Sequence, residues 1–391
     1  MPCRSPRSGL KENDSLCGGP SGPLQQFYMR LPMSDFFTRR NFLAGVSASA
    51  FAAVYPPQFI SLLETQSQSS KPLPLIKPKA LKPGDTVGLV MPATAIDTPE
   101  WINISKEIVE SFGFKVVMGK NVGNTYGYLA GTDQERAADI NDMFRRSDVQ
   151  GVLPIQGGWG SMRLLPYLDF EMIRKNPKVF VGFSDITTLL LAFRKFSGLV
   201  TFHGPNIRST FNDYVSDYYF RALTSSAPLG LLKQPPLPPG EKVEKENRII
   251  VLHGGKASGE LVGGNLSLLV TTLGTPFEID LTGKILFLED VREEPYRIDR
   301  MLTHLFLSGA LNNVAGIIVG KMRECEPKDG GFTGSLTLEE IFRTRLGTLG
   351  KPAIYGLSFG HIRDHITLPI GVQATLDADA KTVTIDEGAV R

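Results

Sequence analysis

Between Thr86 and Phe183, short apolar runs of strand length alternate with patterns of helical period, and this constrains the fold most. "DTVGLVMPA" reads as a buried strand, Thr86 to Met91, ended by Pro92. A helix is predicted around Ile102 to Phe112, then a strand at "KVVMG". "TDQERAADINDMFRR" is a well-marked helix: Thr132 can cap it, Glu135 stands three residues on, and Ala138, Ile140 and Phe144 supply an apolar side. Next come a strand at Gly151 to Ile155, a glycine turn, a helix at Met162 to Leu168 and a strand at Val179 to Phe183. Strands alternating with helices predict a parallel sheet covered on both faces.

The pattern changes after "LLKQPPLPPGEKVEKEN", whose four prolines and charge run disfavour a helix or a central strand. Beyond it "GGNLSLLVTTLG" and "YRIDRMLTHLFLSG" read as helices. "KILFLED", "VAGIIVGKM" and two short runs around a turn at Asp377 to Lys381 read as strands. The expected organisation is an N-terminal extension with a signal at 1–55, a linker at 56–79 and a first domain at 80–227. A second linker at 228–247 and a second domain at 248–391 follow. A chain of 391 residues has room for both domains and a leader.

The leader is legible in "SDFFTRRNFLAGVSASAFAAV". Arg39 and Arg40 precede a short apolar and small-residue stretch, Phe42 to Val54, too short to span a bilayer. Arg-Arg before Asn-Phe-Leu resembles a twin-arginine export signal, which predicts a periplasmic location; a basic tail on a cytoplasmic protein is the alternative. Met33, just upstream, offers an alternative start, because residues 1–32 are polar and aperiodic. No other stretch is long and apolar enough for membrane insertion. With 42 basic and 40 acidic residues the net charge is +2, which gives no electrostatic reason to expect a nucleic-acid partner. Two of the three cysteines, Cys3 and Cys17, lie in the extreme N-terminus; a processed chain keeps Cys325 alone and forms no internal disulfide.

The run "VFVGFSDITTLLLAF" raises a chemical question, because a buried strand stops on Ser184 and a helix begins at once. Reactive groups collect at the carboxyl ends of parallel strands. A tight strand-to-helix turn, with room given by Gly182, holds the hydroxyl clear of the sheet. The following helix N-terminus offers N–H groups to a developing oxyanion. The sequence is not G-x-S-x-G, because Ile186 follows Asp185, and Ser184 could equally be a plain helix cap. A nucleophilic serine needs a base and a group that orients it. The five histidines are His203, His253, His304, His361 and His365, and local pattern does not choose among them. Glu289 ends the apolar strand "ILFLED", with Asp290, Glu293 and Glu294 crowding close by. Gly157 and Gly158 in "PIQGGWGSMR" let backbone amides approach a ligand, although a plain turn reads the same way. The dinucleotide fingerprint, a Walker A sequence and H-E-x-x-H are all missing, so no cofactor is expected. His361 and His365 are four apart, but "ITLP" after them disfavours a helical metal site.

Seven stretches together resemble the serine L,D-carboxypeptidases, which include muropeptide carboxypeptidases and microcin-C immunity peptidases. They are "GYLAGTDQERAADINDMF", "QGGWGSMRLLPYLDF", "NPKVFVGFSDITTLLLAF", "GLVTFHGPN", "GGNLSLLVTTLGTP", "ILFLEDVREEPYRIDRMLTHL" and "FGHIRDHITLPIG", spread in order over about residues 80 to 390. The resemblance implies a class I glutamine-amidotransferase-like α/β domain followed by a β-rich α+β domain, often in a homodimer. It implies Ser184 as nucleophile, Glu289 as acid and His361 as base, with the amides of Gly158 and Asp185 as oxyanion donors. The implied substrate is a murein tetrapeptide, cleaved between the L-centre of a diamino acid and a terminal D-Ala, as in peptidoglycan recycling. A peptidyl-nucleotide or acyl-amide is the alternative, and a non-catalytic cell-wall-binding protein is a third reading. Gln156, Trp159, Arg163, Asn206 and Asn265 are candidate substrate contacts. The family usually carries Arg where this chain has Gln156, which removes a positive charge from the glycine turn.

Overall fold

The computed structural model describes residues 73–327 and 334–391. The leader with Arg39 and Arg40, Cys3 and Cys17, and most of the segment 56–79 lie outside the described residues. The first half builds β1 (Thr86–Val90), α1 (Glu100–Ser111), β2 (Lys115–Met118), α2 (Asp133–Arg145), β3 (Gly151–Pro154), α3 (Phe170–Lys175) and β4 (Val179–Gly182). It continues with α4 (Thr187–Ser197), β5 (Thr201–His203) and α5 (Asp213–Thr224). The second half builds β6 (Gly230–Leu231), β7 (Ile250–His253), β8 (Lys256–Asn265), α6 (Leu266–Thr271), β9 (Ile285–Val291), α7 (Pro295–Leu307) and β10 (Gly316–Arg323). It ends with α8 (Leu338–Arg345), β11 (Ala353–Tyr355), β12 (Leu368–Ile370), β13 (Gln373–Asp377) and β14 (Thr382–Ile385).

The chain forms the expected mixed α/β fold, a parallel-sheet N-terminal part and a β-rich C-terminal part. A six-stranded sheet has the order β12-β5-β4-β3-β1-β2, and β1 to β5 run parallel. The runs of β3 and β4 are buried at every position, as a sheet covered on both faces requires. Phe180 of β4 meets Phe193 of α4 edge-on at 4.8 Å, and Phe144 of α2 packs on Phe193 at 5.5 Å, joining sheet and helices into one apolar layer. The eight-stranded sheet has the order β6-β14-β13-β8-β9-β10-β11-β7, with β8 to β11 parallel and the outer pairs antiparallel. Among the described residues no helix is long and apolar enough to cross a membrane.

Four local expectations shift. The helix predicted at Met162 to Leu168 is a 3-10 turn, Ser161–Tyr167, because Pro166 lies inside it and cannot donate to an α-helical ladder. The α-helix starts later, at Phe170, where Asp169 accepts from the Met172 amide at 2.9 Å. Gly263, Gly264 and Asn265, expected in a helix, are the end of β8. A side chain at Gly263 would meet the Phe287 carbonyl at 1.8 Å, so only glycine lets β8 run this close to β9. The expected linker already joins the first domain: Ile76 donates its amide to Gly198 and accepts from Val200. Finally, β12 from the second half pairs antiparallel with β5, giving the otherwise parallel sheet an edge strand of distant origin.

Other contacts bind the two sheets together. Arg194 of α4 makes a two-pronged ion pair with Glu260 of β8, at 2.8 and 2.9 Å, and Lys284 reaches the same carboxylate at 3.3 Å. Lys195 donates to the carbonyls of Pro276 and Glu278, each at 2.6 Å. All three charged groups of the Glu260 cluster are largely withdrawn from water. Glu260→Gln would leave Arg194 and Lys284 without their anion. It is expected to cost about 3–5 kcal/mol, read as a lower midpoint in chemical denaturation.

Candidate active site

The carboxyl end of β4 carries Phe183 and Ser184. Phe183 is extended, and Ser184 turns sharply to φ 62°, one of four non-glycine positive values among the described residues. That conformation costs about 1–3 kcal/mol and persists only where the surroundings enforce it. They do so from three sides. At Gly182 a side chain would meet the Asn206 Oδ1 at 2.9 Å, and at Gly157 one would come within 3.2 Å of the Ser184 Cβ. The Asp185 carboxylate accepts from the Ser161 amide at 2.7 Å, and the Ser161 hydroxyl donates to the Asp185 carbonyl. The serine turn is thus bound directly to the glycine turn between β3 and the following 3-10 turn. Burial raises the Asp185 pKa, against opposing hydrogen bonds from Ser161 and Gly160.

The second sheet supplies the acid and the imidazole. In parallel register Asn265, the last residue of β8, lies beside Glu289 of β9. Glu289 is fully buried. Its Oε2 meets His361 Nδ1 at 2.7 Å, and its Oε1 accepts from Asn265 at 3.3 Å. Gly360 allows this contact, since a side chain there would meet the Glu289 Cβ at 2.9 Å. Burial works against the His361 imidazolium, but the Glu289 charge and hydrogen bond outweigh it and raise the pKa above 6.5. The next residue, Asp290, is pushed up to about 6 by burial and by the Glu289 charge. It accepts from Asn265 at 3.0 Å and from the Ser267 amide and hydroxyl at 2.9 and 2.8 Å.

Two contacts bring these halves together. Thr187, at the start of α4, accepts from the Asn265 amide at 3.1 Å. The Phe183 ring, adjacent to Ser184, lies 4.8 Å from the His361 ring and 4.9 Å from that of His365. His203 and His365 form a buried pair behind Phe183, 5.3 Å apart. Burial depresses both pKa values, that of His365 to about 3. His253 contacts the Gly347 carbonyl, and His304 lies on α7. Of the five, His361 alone meets a carboxylate at hydrogen-bond distance.

The remaining sequence candidates divide. Gly158 has φ 116° and no room for a side chain, which would meet Thr94 Oγ1 at 2.0 Å. Trp159 donates its amide to Thr94 at 2.8 Å and leaves its side chain 67% exposed. Gln156 donates to the carbonyls of Thr94 and Ala95 and accepts from Arg208. Arg163 points outward into an ion pair with Asp133 at 2.8 Å. Asn206 is buried and its Oδ1 accepts weakly from the Phe183 amide at 3.4 Å. Asn265 supports Glu289 and Asp290. Sequence reasoning missed Ser161, Thr187 and Arg208 as part of this region, and named Asp290 only as a neighbour of Glu289. Neither Thr187, whose hydroxyl accepts from the distant Asn265, nor Arg208 carries a local signal.

Profiles of the LD-carboxypeptidase N-terminal and C-terminal domains match residues 87–204 and 258–376. A probable murein peptide carboxypeptidase of Bacillus subtilis is 43% identical over 80% of this chain and 95% of its own length. The microcin C7 self-immunity protein MccF of Escherichia coli is 31% identical over 78% of this chain and 94% of its own. A structure of MccF with glutamyl sulfamoyl guanosine superposes with a TM-score of 0.72, at 29% identity, covering 81% of this chain and 99% of that one. A muramoyltetrapeptide carboxypeptidase structure from Oxalobacter formigenes gives 0.66 at 29% identity, over 78% of this chain and 99% of that one. With both domain profiles matched in order, and with relatives aligned over nearly their whole length, the chain belongs to the LD-carboxypeptidase family of hydrolases.

Proposed function

We propose that this carboxypeptidase is a serine enzyme in which Ser184 is the nucleophile, His361 the base and Glu289 the acid that orients it. The observation that carries this reading is the 2.7 Å contact between His361 Nδ1 and the fully buried Glu289. It fixes the Nδ1–H tautomer and leaves Nε2 as the basic nitrogen. The strained backbone at Ser184 supports the nucleophile's role. The substrate class is a murein tetrapeptide; the Bacillus subtilis relative is named a probable murein peptide carboxypeptidase and the Oxalobacter formigenes one a muramoyltetrapeptide carboxypeptidase. The bond cleaved joins the L-centre carbonyl of the diamino acid to the terminal D-Ala.

His361 Nε2 takes the Ser184 proton as Oγ attacks the carbonyl carbon. The oxyanion is held by the amides of Gly158 and Asp185. His361 returns the proton to the D-Ala nitrogen, the C–N bond breaks, and an acyl-enzyme remains. A water then gives its proton to His361 and its oxygen to the carbonyl. The peptide acid leaves, and the proton goes back to Ser184.

A second reading keeps the machinery and changes the substrate to a peptidyl-nucleotide or another acyl-amide. The MccF likeness and the exposed rings of Trp159, Tyr126 and Tyr128 favour it. Comparing kcat/KM on murein tetrapeptide and on an aminoacyl sulfamoyl nucleoside separates the two. The proposal also includes export through the Arg39–Arg40 signal and a homodimer in solution. In cells, Arg39→Lys with Arg40→Lys should keep the uncleaved chain in the cytoplasm. Light scattering at the monomer mass would remove the dimer from the proposal.

Ser184→Ala is expected to reduce D-Ala release by at least about a thousandfold while leaving the thermal midpoint close to wild type. Wild-type-like turnover in that variant, followed by mass spectrometry of the peptides, refutes the assignment. The pH dependence carries a sign. Neutral His361 is the active base, so kcat/KM should rise with pH through a value above 6.5. Glu289→Gln removes the charge that raises this pKa. The residual activity should then be lower by roughly 10²–10⁴-fold, and its acid limb should move to lower pH.

A further inference from the structure

A peptidase that removes only the last residue must recognise a free carboxylate, and that anion needs a cation close to the scissile bond. The cations around the Ser184 turn are mostly engaged. Arg136 is buried and donates to Pro92 and Gly160 carbonyls and to Asp133. Arg163 is paired with the same Asp133 at 2.8 and 3.1 Å. Arg323 donates to the His361 carbonyl and pairs with Glu324 at 3.1 Å. Arg208 is different.

The segment from Asn206 to Ser209 lies across the carboxyl end of β3. Ile207 donates to Pro154, Arg208 to Ile155, and Ser209 closes the turn on Asn206 at 2.9 Å. Asn206 packs against Gly182 and Gly157, the two glycines that press on the Ser184 turn. Arg208 therefore stands on the same short turn as Asn206, which accepts from the amide of Phe183, the residue before Ser184. Its guanidinium is oriented mainly by two partners that carry no charge. The Gln156 carbonyl oxygen accepts from Nη1, and the Trp101 ring lies 4.7 Å from Cζ. Among the described residues its one anionic contact is Asp97, at 3.5 Å and 75% exposed, a weak contact that a ligand carboxylate can displace. Arg208 itself keeps 28% of its side chain open to solvent.

We infer that Arg208 binds the terminal α-carboxylate of the substrate and thereby sets exopeptidase specificity, with Gln156 as its positioning residue. This rests on the carboxypeptidase reading above. Gln156 fits the role because both ends of its amide are used. Nε2 donates to Thr94 and Ala95 carbonyls at 2.9 and 3.0 Å, which turns the oxygen toward Arg208. A cationic side chain at position 156 could not accept that hydrogen bond and would repel the guanidinium. The positive charge absent from the glycine turn is supplied by the neighbouring turn.

The test uses full-length Ser184→Ala protein, so that binding is read without turnover. Calorimetry compares a murein tetrapeptide ending in free D-Ala with the same peptide ending in D-Ala amide. With Arg208 present, the acid should bind roughly 10- to 100-fold more tightly than the amide. With Arg208→Met added, the two should bind alike. Arg208→Lys, which keeps the charge without the two-pronged fork, should retain part of the preference and carries the test if the methionine variant does not fold. An acid preference that survives Arg208→Met, or one absent from the starting protein, overturns the inference; so does failure of the acid to bind. Wild-type D-Ala release is scored separately. Release together with a surviving preference sinks only the role of Arg208. No release, with the preference lost on Arg208→Met, sinks only the proposed reaction.

Discussion

The proposed catalytic groups come from two sheets and can act together only if the sheets cannot slide, since productive geometry tolerates about 0.5 Å. This protein meets that constraint with contacts of different kinds. Strand β12 leaves the second half and hydrogen-bonds to β5 of the first. Arg194 and Lys284 converge on Glu260. Thr187 and Asn265 meet where α4 begins and β8 ends. The last contact lies nearest the chemistry. Thr187 is three residues from Ser184, and Asn265 also supports Glu289 and Asp290. A shift of one sheet against the other would therefore break the support of the acid and the start of the serine helix together.

The electrostatics follow from this closure. Glu289 is fully buried, and an isolated buried carboxylate would be costly. It is retained because His361 and Asn265 hydrogen-bond to both oxygens. The groups behind His361 remain uncharged. His203 and His365 are buried, and their pKa values are driven down. Two neutral imidazoles and the Phe183 ring give His361 a poorly screened surrounding, in which the Glu289 charge acts strongly. Asp290 takes the opposite course and is raised to about 6, since a second full charge beside Glu289 is unfavourable. Three hydrogen bonds from Ser267 and Asn265 hold it in place.

Much of this was readable in the sequence where local rules decide. The capping box at Thr132 and Glu135 forms as the spacing predicts. The apolar runs become the strands they suggest. Ser184 stands out because a strand of four buried residues stops at once before a helix. The failures share a cause, which is that contacts distant in sequence set the outcome. Gly263 and Gly264 look helical beside "NLSLLV", yet they are strand, with Phe287 pressed against Gly263 and Thr187 against Gly264. The "ITLP" run disfavours a helix, but nothing local says that it joins the first sheet as β12. Local pattern could not choose His361 over His365, because burial behind Phe183 separates them: one meets Glu289 and the other is left with a depressed pKa.

Arg208 shows the same limit in a form that bears on function. A residue comparison at position 156 registers only a lost charge. In three dimensions Gln156 is the acceptor that aims a guanidinium from fifty-two positions away. What a site requires is a charge at a place, and neighbouring turns can both reach that place. Here the two turns lie over the end of one strand, β3: the glycine turn continues from it, and the Asn206 turn hydrogen-bonds across it. The glycine turn packs closely on Ser184, since a side chain at Gly157 would come within 3.2 Å of the Ser184 Cβ. The turn that confines the serine and the turn that carries the charge thereby become separate parts, joined by one amide.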